Sequence, residues 1–308
     1  NGFSAGAYLD LFFRINADSA TPLSYVSIPF YMATNGKVVG GASADLYFGS
    51  KHRLKIFYQY NKSPTPFYGI GSRNPNSAVE EYEHIYTKFG LSYTRRVAPG
   101  LFLGGNYFFQ TSLNIGMDQD GALYHSDANG KQGYTMSGPG LSMQYDTRDL
   151  NTSAYSGTNL NFNTSFFAPA FGSNQFATEI SFSVANYFKP GEKSHILATR
   201  LGFDIFTREP PFQMMHTLGT DVLRGYRAGQ YLSTNRWYSQ VEYRFPLFWR
   251  FRGVAFAAIG DVARKVDYFS INSLKVCGGG GLRFVIDPKE RLALRFDYGF
   301  ALDGSRGF

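Results

Sequence analysis

Apolar and polar residues alternate one by one over long stretches of this chain. In Leu292–Phe300, Leu292, Leu294, Phe296, Tyr298 and Phe300 fall on one face, and Ala293, Arg295, Asp297 and Gly299 on the other. Leu160, Phe162, Thr164 and Phe166 oppose Asn161, Asn163 and Ser165 in the same way. Ile180, Phe182 and Val184 oppose Glu179, Ser181 and Ser183, and Leu141, Met143 and Tyr145 oppose Ser142, Gln144 and Asp146. A period of two is that of a strand with one apolar and one polar face. It predicts fourteen strands, near 3–15, 24–33, 38–48, 52–62, 84–96, 100–113, 135–147, 158–168, 175–188, 195–207, 237–248, 253–263, 273–286 and 291–301. Most match the roughly 9–11 tilted residues that cross a bilayer, against ~5–6 in an ordinary globular strand.

The connections alternate too. Ala98–Pro99, Pro190–Ser194, Trp249–Arg252 and Asp287–Glu290 sit in short turns, whereas Pro64–Glu83, Gly116–Gly133 and Glu209–Arg236 form long loops. Outer-membrane barrels have short periplasmic turns and long outer loops. Alternation alone does not say which face is inside, since a β-sandwich or lipocalin-like barrel also alternates with its apolar face inward. With this many long strands, an inward apolar set would have to fill a very wide core. A wide barrel with a polar lumen is the simpler solution. With no linker or composition shift, residues 1–308 are expected to be one all-β domain, a transmembrane antiparallel β-barrel of a Gram-negative outer membrane.

Composition agrees. Phe (30) and Tyr (22) are abundant, Gly contributes 34 residues, and only 17% of the chain is charged. No apolar run approaches the roughly 20 residues of a spanning helix. The chain begins at Asn1 with no signal peptide ahead of it, and is expected to be mature or incomplete at that end. The net charge of +7 is spread singly along strands, which points to lumen lining and lipid phosphates and away from nucleic acid. Cys277 is the only cysteine, and the five histidines, His52, His84, His125, His195 and His216, show no metal-ligand spacing. No catalytic residue, cofactor or metal is expected. Gly278–Gly281 lacks the Lys-Ser/Thr of a phosphate loop and is expected to be a strand thinned for close approach. Tyr187, Phe188, Trp237, Tyr238, Phe248 and Trp249, at strand ends, suit interfacial girdles.

One loop carries more specific information. Leu218-Gly219-Thr220-Asp221-Val222-Leu223-Arg224-Gly225-Tyr226 resembles the Gly-Gly-x-x-x-Arg-Gly-Phe/Tyr motif of the outer-membrane assembly and secretion superfamily, which includes the BamA and TamA assembly factors and the two-partner secretion transporters. Further resemblances follow in order: Phe67-Tyr68-Gly69-Ile70-Gly71 in an early outer loop, Asp146-Thr147-Arg148-Asp149 entering a periplasmic turn, Glu242-Tyr243-Arg244-Phe245-Pro246, Gly278–Arg283, and Arg295-Phe296-Asp297-Tyr298-Gly299. The resemblance implies a sixteen-strand barrel with the Arg224 loop folded into the lumen. It also implies that Arg224 pairs with an acidic group, for which Glu242 has inward parity.

Three departures from the family pattern stand out. Thr220 replaces the second glycine. Ala258 occupies the position where a second acidic residue is expected, and Asp261, three residues on, has the opposite parity. The fourteen strands would be the second to the fifteenth, with the first ahead of Asn1 and the last running past Phe308. The family implies a non-enzymatic barrel that inserts or exports proteins, surrounded by outer-membrane lipids and lipopolysaccharide. Its expected protein partners are client outer-membrane proteins and periplasmic or surface subunits, because no POTRA domain lies within these residues. The alternatives are a scaffolding barrel without transport and a diffusion pore for small solutes.

Overall fold

A computed structural model describes residues 3–15, 21–75, 77, 79–113, 115–150, 153–191, 195–219, 221–288, 291–303 and 306–307. Fourteen long strands lie among them. These are β1 (Ser4–Phe13), β2 (Ser24–Ala33), β3 (Val38–Phe48), β4 (His52–Phe67), β5 (Glu80–Ala98), β6 (Leu101–Ser112), β7 (Tyr134–Asp146), β8 (Gly157–Phe167), β9 (Ala177–Phe188), β10 (Ile196–Phe206), β11 (Asn235–Pro246), β12 (Phe251–Ala263), β13 (Lys275–Asp287) and β14 (Leu292–Ala301). Each pairs antiparallel with the next in chain order. Two two-residue strands, Ile115–Gly116 on β5 and Arg306–Gly307 on β14, bring the described sheet to sixteen. No ladder between β1 and the far edge occurs among the described residues. The expected strand ahead of Asn1, Thr220, and parts of two predicted turns (192–194, 289–290) lie outside the described residues.

The question left open by alternation is decided by exposure. On β14, Leu294, Phe296 and Phe300 are 50%, 67% and 53% exposed, while Gly299, on the opposite face, is buried. Asp45, Asp204, Glu242 and Arg283 are likewise buried on the inner face of their strands. A soluble barrel would reverse this. Apolar residues that cannot leave water by facing inward need lipid. The chain is therefore a transmembrane β-barrel with a charged lumen.

Two expectations need correction. The loop expected over 64–83 is much shorter, because β4 and β5 stay paired from Pro64↔Glu83 to Phe67↔Glu80. Pro64 and Pro66 lack the N–H that an interior strand needs, but β3 ends its pairing with β4 at Val38↔Lys62, so nothing is there to receive one. Tyr187 and Tyr238 do not join a lipid-facing girdle. Their parity puts them inside, where Tyr187 lines a lumen cavity and Tyr238 packs with Leu218 and Val222. Phe188, Phe248 and Trp249 are exposed as the girdle requires.

Candidate functional site: the lumen loop and its clamp

The β10/β11 loop re-enters the barrel. Its neck is a short hairpin, His216–Leu218 against Tyr231–Ser233. Past the neck, Val222 and Leu223 N–H both bond the Gly219 carbonyl, at 3.0 and 2.7 Å, which turns the chain back. Gly219 is required by crowding, since a Cβ there would sit 3.0 Å from Ala228 Cα across the neck. Gly225 has φ +112°, a region that L side chains rarely adopt.

The loop lies on rows of the inner wall set by strand register. One row runs Glu242–Phe256–Gly279–Gly299 across β11 to β14, and the next toward the periplasm runs Arg244–Val254–Gly281–Asp297. Arg224 bridges the two. It donates to Glu242, bonds Asp297 at 3.0 Å, and stacks on Phe256 with its guanidinium 3.9 Å from the ring centre. Glu242 also accepts from Arg244 at 2.7 Å, and Asp297 accepts from Arg283. Both carboxylates are thus held from two sides, which a partly desolvated charge needs.

The glycines belong to the same geometry. A Cβ on Gly279 would be 2.5 Å from the Phe256 ring, and one on Gly299 would be 2.6 Å from the Arg224 carbonyl oxygen. Bare backbone on β13 and β14 lets the ring and the loop lie flat. The next row outward is Gln240–Ala258–Cys277–Ala301, and its small residues receive Val222, Leu223 and Tyr226 in a buried apolar cluster. This explains Ala258. A carboxylate there would point into that cluster, and the second acid comes from Asp297 instead. Asp261 is fully buried and accepts from Ser273 at 2.6 Å and the Ser270 N–H at 3.2 Å, away from Arg224.

The remaining motif residues fall into two groups. Near the outer rim, Tyr226 packs edge-on against Tyr231 at 5.7 Å, and its hydroxyl bonds the Val276 carbonyl at 3.0 Å. Burial raises both phenol pKa values. Phe67 packs with Phe212 and Leu232, and the Gly71 N–H bonds the Leu232 carbonyl at 2.8 Å. Asn74 ties the Gly69 carbonyl (2.7 Å) to that of Gln230 (2.8 Å), so the Phe67–Gly71 segment clasps the neck of the Arg224 loop. Arg236 anchors the neck from the wall, bonding Asp204 at 2.7 Å and the Thr217 carbonyl at 2.6 Å.

At the periplasmic end, Arg148 forks onto Asp146 at 2.6 and 2.9 Å. Asp149 takes the Tyr155 N–H at 2.9 Å and Arg291, from the β13/β14 turn, at 2.8 Å. Burial pushes the Asp149 pKa up, but the N–H groups of Tyr155 and Ser156 and the Arg291 guanidinium outweigh it and hold it at about 2. Arg291 lies over the Tyr155 ring at 3.9 Å, and Arg244 donates to the Ala154 carbonyl at 3.3 Å. The β7/β8 turn is therefore pinned beneath the lumen by residues from β11 and from the β13/β14 turn.

A barrel of this construction, with an arginine loop clamped inside it, has relatives. The Omp85 superfamily domain matches residues 45–307. The chain belongs to that superfamily. As an Omp85 barrel it is a bacterial outer-membrane protein. Its fold is similar to BamA from Haemophilus ducreyi lacking POTRA domains 1–3, with a TM-score of 0.59 at 14% identity over 97% of this chain and 66% of that one. It is also similar to CdiB from Acinetobacter baumannii, with a TM-score of 0.67 at 11% identity over 98% of this chain and 54% of that one. The chain thus spans less than two thirds of either protein. No curated protein sequence matches it.

The structure places Arg224 against Glu242, with Gly225 and Tyr226 following it in the same loop, and Phe67, Gly69 and Gly71 contact the neck of that loop. Asp146, Arg148 and Asp149 form a separate periplasmic cluster. Asp297 and Arg283 stand in motif segments, but neither they nor Phe256 is assigned to the clamp by the sequence. The inward parity of Asp297 was visible there, but its height relative to Arg224 depends on the register of three ladders.

Proposed function

We propose that this Omp85 barrel takes part in inserting or exporting proteins at the outer membrane, without enzymatic chemistry and together with partner subunits. The observation that carries the proposal is the clamped loop. Arg224, paired with Glu242 and Asp297, holds the loop against the inner wall, and a loop held inside the lumen suits a barrel that handles protein segments on demand better than an open solute pore. Client strands would be engaged by β-augmentation at a sheet edge. Lipopolysaccharide and other outer-membrane lipids would surround the exposed apolar wall. A scaffolding barrel without transport is the second reading, and the missing acid at Ala258 does not favour it, because Asp297 supplies the second carboxylate. Purification from native membranes, with mass spectrometry of what accompanies the barrel, is the test. Co-purifying subunits or client proteins, and a depleted outer-membrane proteome when the protein is removed, are expected. A barrel that purifies alone and whose loss leaves that proteome unchanged would sink the proposal.

A further inference from the structure

The inner wall carries more guanidinium than its carboxylates balance. Arg252, Arg283 and Arg295 stand directly opposite one another on β12, β13 and β14. Like charges in register repel, and a confined lumen screens them less than bulk water does. Arg200, Arg224, Arg244 and Arg295 line an adjoining cavity of about 320 Å³, together with Gln240 and Glu242. Among the described residues, only Glu242 and Asp297 answer these six arginines: Glu242 meets Arg224 and Arg244, and Asp297 meets Arg224, Arg283 and Arg295. The cavity's other carboxylate, Asp221, reaches Arg236 at 3.4 Å. Arg200 and Arg252 reach no carboxylate among the described residues and lie over Tyr238 and Tyr155, at 5.1 and 5.2 Å.

Clamping the loop needs one arginine and two carboxylates, so it leaves this excess unexplained. An excess of positive charge in a bounded, water-filled space is a standing site for an anion. Guanidinium forks match the paired oxygens of a phosphate group, where lysines would offer only point charges. We infer that the cavity between the Arg224 loop and the β9–β11 wall binds a phosphate-type oxyanion, either free phosphate or the phosphate of a headgroup, with Arg200, which reaches no carboxylate among the described residues, and the exposed Arg295, which shares Asp297 with two other arginines, as its ligands. The site rests on the lumen geometry alone and stands whether or not the barrel handles protein clients.

The test is calorimetric titration of inorganic phosphate into the folded protein in detergent, against chloride at equal ionic strength. Saturable binding of phosphate but not chloride is expected. Arg200→Gln should weaken it about tenfold or more, the loss expected when one charge-assisted contact goes. Arg295→Gln should do the same and is the safer variant, because its side chain is 60% exposed and carries little packing. Lys265→Gln, on the β12/β13 outer loop, should leave affinity unchanged. Mass spectrometry of gently purified protein separates the sources. A retained phosphate-bearing lipid, with phosphate binding only after its removal, assigns the headgroup; phosphate binding without one assigns the free ion. Equal heats for phosphate and chloride, or unchanged affinity in both arginine variants, would overturn the inference.

Discussion

Arg224 shows how one side chain couples loop to wall. Its guanidinium is shared between two carboxylates and an aromatic face, and truncation would leave Glu242 to Arg244 and Asp297 to Arg283 and Arg295. Removing one partner from a buried charge pair costs about 3–5 kcal/mol. Arg224 is 23% exposed in a wet lumen, so Arg224→Ala should cost somewhat less, about 2–3 kcal/mol, read as a lower thermal midpoint of the folded barrel, and should produce brief channel openings. An unchanged midpoint together with unchanged conductance would count against the clamp. Gly299→Ala tests the same contact without touching a charge. Its new methyl group would meet the Arg224 carbonyl, and overpacking of this kind costs about 1–3 kcal/mol. It should loosen the loop much as Arg224→Ala does, whereas an alanine that leaves both conductance and midpoint at the wild-type level would mean the loop does not rest on β14.

At the scale of elements, the loop hairpin and the β7/β8 turn are held by different forces and should respond differently to acid. His216, on the hairpin, stacks on Phe206 and lies 4.0 Å from Glu179. Burial pushes its pKa down to about 4, with Asp204 opposing and Arg236 adding. A histidine kept neutral in the fold binds fewer protons than it would when released, so stability falls as pH drops from about 6.5 toward 4, by on the order of 3 kcal/mol in the limit. Hydrogen exchange of the hairpin amides should accelerate over that window in the wild type and stay flat in His216→Gln. Asp149 behaves the same way lower down. Its depressed pKa means that its contribution is whole above about pH 4 and is lost as pH falls toward 2. The turn it anchors also depends on the Arg291–Tyr155 stack. Tyr155→Ala should expose residues 147–156 to protease added from the periplasmic side, while the Arg224 loop stays protected. Equal cleavage of wild type and variant would refute the pinning.

For the whole molecule, the Arg224 clamp and the Arg291–Tyr155 stack lie at different heights of one lumen and are expected to act as two gates in series, so that opening one leaves the other closed. Arg224→Ala and Tyr155→Ala alone should therefore give at most flickering current in planar bilayers, and the double variant a steady conductance larger than the sum of the two. Additive behaviour would mean that the gates do not act in series. Arg244 links the two, donating to Glu242 and to the Ala154 carbonyl, so their effects on stability should not simply add.

Much of this was legible along the chain. A period of two placed all fourteen long strands, because lipid outside and water inside impose opposite demands on successive residues. The Arg-Gly-Tyr loop was legible because Gly225 and Arg224 keep their spacing whatever the packing. Parity also put Asp297 inside, whereas Tyr187 and Tyr238, assigned to the girdle for standing at strand ends, face the lumen as their parity requires. What the linear order could not carry was height. Whether Asp297 meets Arg224, why Ala258 and Cys277 are small, and why Gly279 and Gly299 have no side chain all depend on how far each strand is shifted against the next. That shift is set by the turns and by the ladder pairing of each strand with the next. Sequence periodicity determined the wall and the direction in which each side chain faces; only the tertiary register decided which of the inward charges meet, because a one-dimensional pattern is unchanged when a strand slides by two residues.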